Sequence, residues 1–277
     1  MAFLKKTGLF GRKPKNLLFL YIPLIDIAMK RLLPLLLVLL AACAPKSTLP
    51  KVPIRTYNAP KAIGPIVIDG ILDEPDWTAA PLSEAFADIR GVEFEPKPVK
   101  QTHMKMLWDA ENLYIAGIIE EDNLTASLTE HDAIIYHDND WEVFIDPDQD
   151  CRYYFEIELN ALNTVMDLLM DRPYRDSGKF YLPWDLRGLK TAVHIDGTLN
   201  DASDKDTGWT VEMAIPIASL CVEFQTPEEL LSKDWKMGFS RVEWLKEGGP
   251  EENWVWNPTG LVDMHQPENW GVLHFVK

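Results

Sequence analysis

Between residue 62 and the C terminus, most segments place apolar side chains at every second position, the period of a half-buried strand. Ile66-Val67-Ile68 runs into Asp69-Gly70, which reads as a strand and its turn. Thr102 to Trp108 places Thr102, Met104, Met106 and Trp108 on one face. Leu113 to Ile119 is almost wholly apolar, and Asp109-Ala110-Glu111-Asn112 joins the two as a hairpin turn. In Trp141 to Ile145, Val143 and Ile145 belong to a core face, while Asp140, Glu142 and Phe144 share the opposite one. Arg152 to Leu159 alternates Tyr153, Phe155, Ile157 and Leu159 against Arg152, Tyr154, Glu156 and Glu158. Further strands are expected at Asn163–Met170, where Thr164 and Val165 are β-branched, and at Leu189–Ile195, Trp209–Ile215, Trp235–Trp244 and Trp270–Phe275.

Helical signal is confined to Pro227–Leu231, with Thr226 as cap and Glu228 and Glu229 in the first turn, and to one turn at Ile217–Leu220. A parallel sheet needs crossover helices, and the pattern offers none. The expected fold class is therefore all-β, an antiparallel β-sandwich of jelly-roll type.

The N terminus follows another pattern. Met29-Lys30-Arg31 precedes the apolar run Leu32 to Ala42, which is shorter than the roughly 20 residues a membrane-spanning helix needs. This is the basic and apolar order of an export signal. Leu40-Ala41-Ala42-Cys43 resembles a bacterial lipobox, which implies cleavage before Cys43, lipidation of Cys43 and a membrane partner held through that lipid. Ala44, not Asp, follows the cysteine, resembling an outer-membrane sorting context. The expected location is exported and lipid-anchored at the outer membrane. A plain secretory peptide and a transmembrane anchor that includes the apolar patch Leu17–Ile27 stay open as alternatives. The signal is complete from Met29 onward, so residues 1–28 are a candidate over-extension of the start. Residues 43–61 carry Pro45, Pro50, Pro53 and Pro60 in a polar stretch and read as a stiff tether. That leaves 62–277 as a single domain.

Composition sharpens this division. With 47% hydrophobic and 25% charged residues, the chain is neither disordered nor fibrous. Its net charge is -16, from 27 basic and 43 acidic residues. Residues 1–42 hold seven of those basic residues and one acid; without them the balance is 20 against 42. So acidic a domain repels phosphate backbones, and nucleic acid is excluded as a partner.

Four clusters carry candidate chemistry. The first, Asp69 to Trp77, holds four carboxylates in a turn-rich segment and is either a solvated turn or a calcium site fed by Asp69 and Asp73. It lacks EF-hand spacing. The second runs from Tyr136 to Asp146; Asp140 and Glu142 share one strand face, suited to accepting hydrogen bonds from sugar hydroxyls or to forming a glycosidase carboxylate pair. The third, Trp254 to Gly271, is a loop whose aromatic rings, with Asn, Gln, Asp and His side chains, suit sugar recognition, and Trp256 and His265 are the ligand candidates. The fourth, Arg172 to Asp185, contributes Arg172, as a salt-bridge partner of Glu142 or Glu156 or as an anion contact, and Trp184. Cys151 and Cys221 could pair or remain buried thiols. There is no HExxH, nucleophile elbow, P-loop or Rossmann fingerprint, so no organic cofactor is expected.

Val67–Trp77 (VIDGILDEPDW), Lys105–Asp122, Asn139–Asp148 (NDWEVFIDPD) and His265–Phe275 occur in the order of the family 9 carbohydrate-binding modules, and the chain resembles a DOMON-like lipoprotein of that kind. The resemblance implies a β-sandwich with structural Ca²⁺ and, in xylanase-attached members, a two-tryptophan clamp on the reducing ends of glucan or xylan. One clamp position falls on Tyr136; the other falls near Met264, with Trp256 or His265 as substitutes. The calcium ligands transfer loosely to Asp69 and Asp73. The expected function is non-catalytic capture of an oligosaccharide or polysaccharide, as an accessory to glycoside hydrolases. The alternatives are a glycoside-active enzyme using paired carboxylates, a structural or assembly lipoprotein, and a DOMON-type haem binder, for which no axial ligand stands out.

Overall fold

The computed structural model describes residues 53–277 except 223 and 247. The export signal, Cys43 and the first part of the tether lie outside the described residues.

Two sheets form the sandwich. The smaller is ordered β3-β4-β10-β9, from β3 (Thr102–Trp108), β4 (Asn112–Glu120), β10 (Gly208–Pro216) and β9 (Lys190–Asp196). The larger runs β1-β13-β11-β5-β6-β7-β8. Its members are β1 (Thr56–Pro60), β13 (Gly271–Val276), β11 (Trp235–Glu243), β5 (Asp140–Asp146), β6 (Tyr154–Asn160), β7 (Val165–Met170) and β8 (Phe180–Tyr181). A branch, β12 (Glu252–Val255), pairs with β11 and with β2 (Ala87–Asp88). Pairing is antiparallel except between β1 and β13. The strands expected from alternation at 102–108, 113–119, 141–145, 209–215 and 235–244 all form, and the fold is the expected antiparallel sandwich.

Alternation explains the core. Trp141, Val143 and Ile145 from β5, Phe155, Ile157 and Leu159 from β6, and Met104 and Met106 from β3 all enter the inter-sheet core. The helix at Pro227–Leu231, α2, has the expected Thr226 cap: its side chain accepts from Glu229 N while the Glu229 carboxylate accepts from Thr226 N.

Three local expectations are corrected. Ile66–Ile68 forms no strand; Ile66, Ile68 and Leu72 instead lie over the outer face of the small sheet, against Trp77, Leu107 and Tyr114. That segment is held by buried Glu212, which accepts from Asp69 N and Gly70 N, both at 3.0 Å, and from Trp77 Nε1 at 2.8 Å. Gly70 is obligatory there: φ is +84° and a Cβ would lie 2.6 Å from His194 N. Second, residues 56–60 of the expected tether are strand β1. Tyr57 is buried, donating to Pro81 O and accepting from Met106 N. Third, Pro75–Ala79 is a short helix, α1, that the sequence pattern did not announce. Cys151 and Cys221 are free thiols.

Candidate functional site

The outer face of the large sheet is roofed, and this makes the site. On β5 and β6 the residues that point away from the core include Glu142, Phe144, Glu156 and Glu158. Cross-strand register sets Glu142 opposite Glu158 and Phe144 opposite Glu156. Loops close over these side chains and leave a cavity of about 530 Å³. The three glutamates form its polar floor. Met166, Leu168 and Met264 add apolar wall, and Tyr136, Tyr174 and His265 bring rings to the rim. Glu251 and Asp263 add two more carboxylates, and no Lys or Arg is among the described lining residues.

Each rim residue is fixed by its own contacts. Asp138 accepts from Ser127 N, Leu128 N and Asn160 Nδ2, which ties the preceding loop to β6. The loop's Tyr136 carbonyl accepts from Trp244 Nε1 at 2.9 Å, while the Tyr136 side chain stays 40% exposed. His265 packs edge-on against Tyr174 at 4.4 Å between ring centroids and against Phe144 at 5.7 Å. Its Nδ1 shares a hydrogen bond of 2.9 Å with the Tyr154 hydroxyl. Arg175 clasps the same loop, donating to the His265 carbonyl and to Glu268.

The electrostatics are unusual for so acidic a floor. Burial, and then the neighbouring carboxylates, push Asp140, Glu142 and Glu158 well above the ordinary carboxylate range. Glu156 is pushed up to about 8 by the same causes. Burial pulls His265 down to about 4. Burial thus disfavours the charged form of both partners across the 3.9 Å approach of His265 Nε2 to Glu156. Hydroxyl groups suit such a floor, because protonated carboxyls donate to them and ionised ones accept.

The structure brings together Tyr136, Glu142 and His265 from the expected ligand set, with Asp140 buried beside Glu142. It separates the others. Trp256 is fully buried in the core against Phe239, with its Nε1 on Glu84, so it is no ligand platform. Trp184 stacks on Phe155 and lines a different surface depression. Arg172 faces Asp171 at 3.4 Å instead of pairing with Glu142 or Glu156. Glu156, Glu158 and Tyr174 were missed as site residues. The alternation that set Glu156 and Glu158 opposite the core was the available signal, but nothing local shows that loops roof that face.

Asp69 and Asp73 are exposed, and Asp69 Oδ1 accepts from Ile71 N as a turn cap. Among the described residues, three groups place carboxylate or imidazole atoms within 4.8 Å of one another: His131–Asp167–Asp185, Asp140–Glu142–Glu158 and Asp146–Asp148–Asp150. Asp69 and Asp73 belong to none of these groups. In the third group, Asp146 is occupied as a loop acceptor for Gln149 N and Cys151 N.

Residues 68–277 match the family of carbohydrate family 9 binding domain-like sequences, and the chain belongs to that family. Among solved structures, it is similar to a family 9 carbohydrate-binding module from Caldicellulosiruptor kristjanssonii in complex with cellotriose. The TM-score is 0.55 at 15% identity, over 80% of this chain and 95% of that one. The same kind of module from that organism in complex with glucose gives 0.53 at 14% identity, over 80% and 94%. A putative carbohydrate-binding protein from Bacteroides uniformis gives 0.57 at 15% identity, over 81% and 100%. No curated protein matches the chain.

Proposed function

We propose that this chain is a non-catalytic carbohydrate-binding lipoprotein that takes a sugar unit of an oligosaccharide or polysaccharide into the cavity on the outer face of the large sheet. The carrying observation is the pairing of exposed rings, Tyr136 and Tyr174, with a floor of Glu142, Glu156 and Glu158. A pyranose presents apolar C–H faces and hydroxyl edges, and aromatic walls over a hydrogen-bonding floor match both. Family membership and fold relatives solved with cellotriose and with glucose support the reading.

The floor suits binding better than glycoside hydrolysis. A glycosidase needs one carboxyl kept protonated and another kept ionised by different environments. Glu142, Glu156 and Glu158 share one environment, and all are shifted the same way.

In this reading Cys43 carries the lipid, the domain hangs from the outer membrane, and captured glycan is handed to glycoside hydrolases. The Leu40–Cys43 motif supports the anchor. Fractionation of cells expressing the wild type and Cys43→Ala tests it: the variant should leave the membrane pellet, and retention there contradicts lipidation. For binding, affinity electrophoresis through gels containing glucans, xylans and host glycans should retard the wild type in at least one gel. Retardation should vanish in Tyr136→Ala. Unretarded migration in every gel contradicts the function.

A further inference from the structure

An imidazole and three carboxylates converge where the loop leading to Tyr136 meets β7. His131 Nδ1 lies 2.9 Å from the Val165 carbonyl, which can only accept, so Nδ1 carries the proton. The same carbonyl accepts from Asp132 N at 3.1 Å, which holds this loop on β7. His131 Nε2 is left facing Asp185 Oδ1 at 3.2 Å, Asp132 Oδ1 at 3.6 Å and Asp167 Oδ1 at 3.8 Å. The Asp167 side chain is 3% exposed. Its Oδ2 accepts from Leu186 N, whereas Oδ1, the oxygen nearest the imidazole, has no hydrogen bond among the described residues. Asp132 Oδ1 is buried and likewise without a partner. A proton on Nε2 does not satisfy this group, because it reaches Asp185 and leaves the other two oxygens beyond hydrogen-bonding distance. Burial pushes the Asp167 carboxyl up from its ordinary range, but a proton there does not close a gap of 3.8 Å either. Among the described residues, no Lys or Arg pairs with any of these aspartates.

We propose that His131 Nε2, Asp167 and Asp185 bind one divalent ion of the Zn²⁺ class, with Asp132 adding its charge beside them. One ligand atom from each of the three lies within 4.8 Å of the others. Zn²⁺ held tetrahedrally at about 2.0–2.1 Å sets its ligands about 3.4 Å apart. The spacings of 3.2 Å to Asp185 and 3.8 Å to Asp167 lie on either side of that value. A nitrogen donor among carboxylates selects such an ion over Ca²⁺, which takes oxygen. The hydrogen bond from Nδ1 to a backbone carbonyl is the outer contact that fixes the tautomer of a metal-binding imidazole. His131 and Asp185 are exposed, which provides an entry path and a fourth position for water. The site is separate from the sugar cavity. Met166 and Leu168 line that cavity from one face of β7, and Asp167 between them belongs to the other. The ion fastens the loop on the His131 side of Tyr136, as Asp138 fastens it on the other side. Nothing in this assignment rests on the carbohydrate reading.

The test uses the full-length chain, stripped with chelator and titrated calorimetrically with ZnCl₂ in excess CaCl₂, without sugar, so that sites selective for Ca²⁺ stay silent. Elemental analysis after gel filtration counts the ions. The expected result is one Zn²⁺ per chain. His131→Gln and Asp167→Asn should each weaken Zn²⁺ at least tenfold. His274→Gln, which alters the imidazole 2.8 Å from Asp234, should leave it unchanged. His131→Gln changes an exposed side chain, Asp167→Asn keeps the side-chain shape, and circular dichroism confirms that both fold. No uptake at submillimolar Zn²⁺ overturns the site. Uptake untouched by His131→Gln or by Asp167→Asn, or lost in His274→Gln, also overturns it. Nuclear magnetic resonance follows the His131 ring in parallel. Ring signals that move with pH but not with Zn²⁺ assign the group to a protonated histidine alone and overturn the ion.

Discussion

Arg241→Met removes the cation at the end of the inter-sheet core, and its cost can be worked from the contacts. The guanidinium is 1% exposed. It donates to Glu243 Oε2 through Nε at 2.9 Å and Nη2 at 2.5 Å, to Glu121 Oε2 at 2.6 Å, to Thr102 Oγ1 at 3.2 Å and to the Glu120 carbonyl at 2.7 Å. It also lies over the Trp254 ring at 5.1 Å. Methionine fills much of the volume but leaves Glu121 and Glu243 buried without a counter-charge. Removing one partner of a buried pair costs about 3–5 kcal/mol, and here two carboxylates share one arginine. For a domain of this size that lowers Tm by about 10 °C. The loss should depend on pH. Even with Arg241 present, burial pushes Glu243 up to about 7, against an ordinary 4.5. Between those values the folded chain holds a proton that the unfolded chain has released. The group's stabilising contribution is thus complete below about pH 4.5 and is lost as pH rises through 7, by at most about 3 kcal/mol. Without the arginine the Glu243 carboxyl binds its proton more tightly still, so acid relieves the variant. Urea titrations at pH 5 and pH 8, followed by tryptophan fluorescence, should show a loss of about 4 kcal/mol at pH 8 and about half that at pH 5. Equal losses at both pH values, or a loss under about 1 kcal/mol at pH 8, would refute the reasoning.

Tyr136→Ala should weaken oligosaccharide binding at least tenfold by calorimetry while changing stability by less than about 1 kcal/mol, because its ring is exposed rather than packed. Trp256→Ala should do the reverse: urea unfolding should show a loss of about 3–5 kcal/mol, with sugar affinity of the folded protein unchanged. Gly271→Ala acts on the same indole, since its Cβ would sit 2.1 Å from Trp256 Cζ3; an overpacking cost of about 1–3 kcal/mol is expected in the same assay. His265, held down to about 4, carries its stabilising contribution fully above pH 6.5 and loses it as pH falls toward 4. In thermal melts across that window, His265→Gln should flatten the decline by up to about 3 kcal/mol.

Most of the sandwich is legible because one face of each central strand is apolar and enters the inter-sheet core. Alternation in Trp141–Ile145 and in Phe155–Leu159 states which residues enter the core, and the Thr226–Glu229 cap marks the start of α2. What fails is non-local. Thr56–Pro60 looks like tether because its partner, β13, lies more than 200 residues away, and no local period reveals parallel pairing. Ile66–Ile68 has the composition of a strand, yet Glu212 captures its backbone and lays it over the small sheet. The site is half legible for the same reason. Tyr136, Glu142 and His265 stand beside turn and strand signals, whereas Glu156 and Glu158 become a cavity floor only because distant loops roof the sheet. Trp256 misleads because a loop tryptophan among prolines has the composition of a sugar platform. Gly271, lacking a Cβ, gives that indole a place in the core.

The central claim is that a sugar sits between the Tyr136 and Tyr174 rings over the glutamate floor. Calorimetric titration of cellotriose, xylotriose and a broader oligosaccharide panel into the wild type and into Tyr136→Ala/Tyr174→Ala tests it most directly. The account predicts saturable heat with one site per chain for at least one oligosaccharide, reduced more than tenfold in affinity in the double variant. Absence of heat across the panel, or binding that the double variant retains in full, contradicts it.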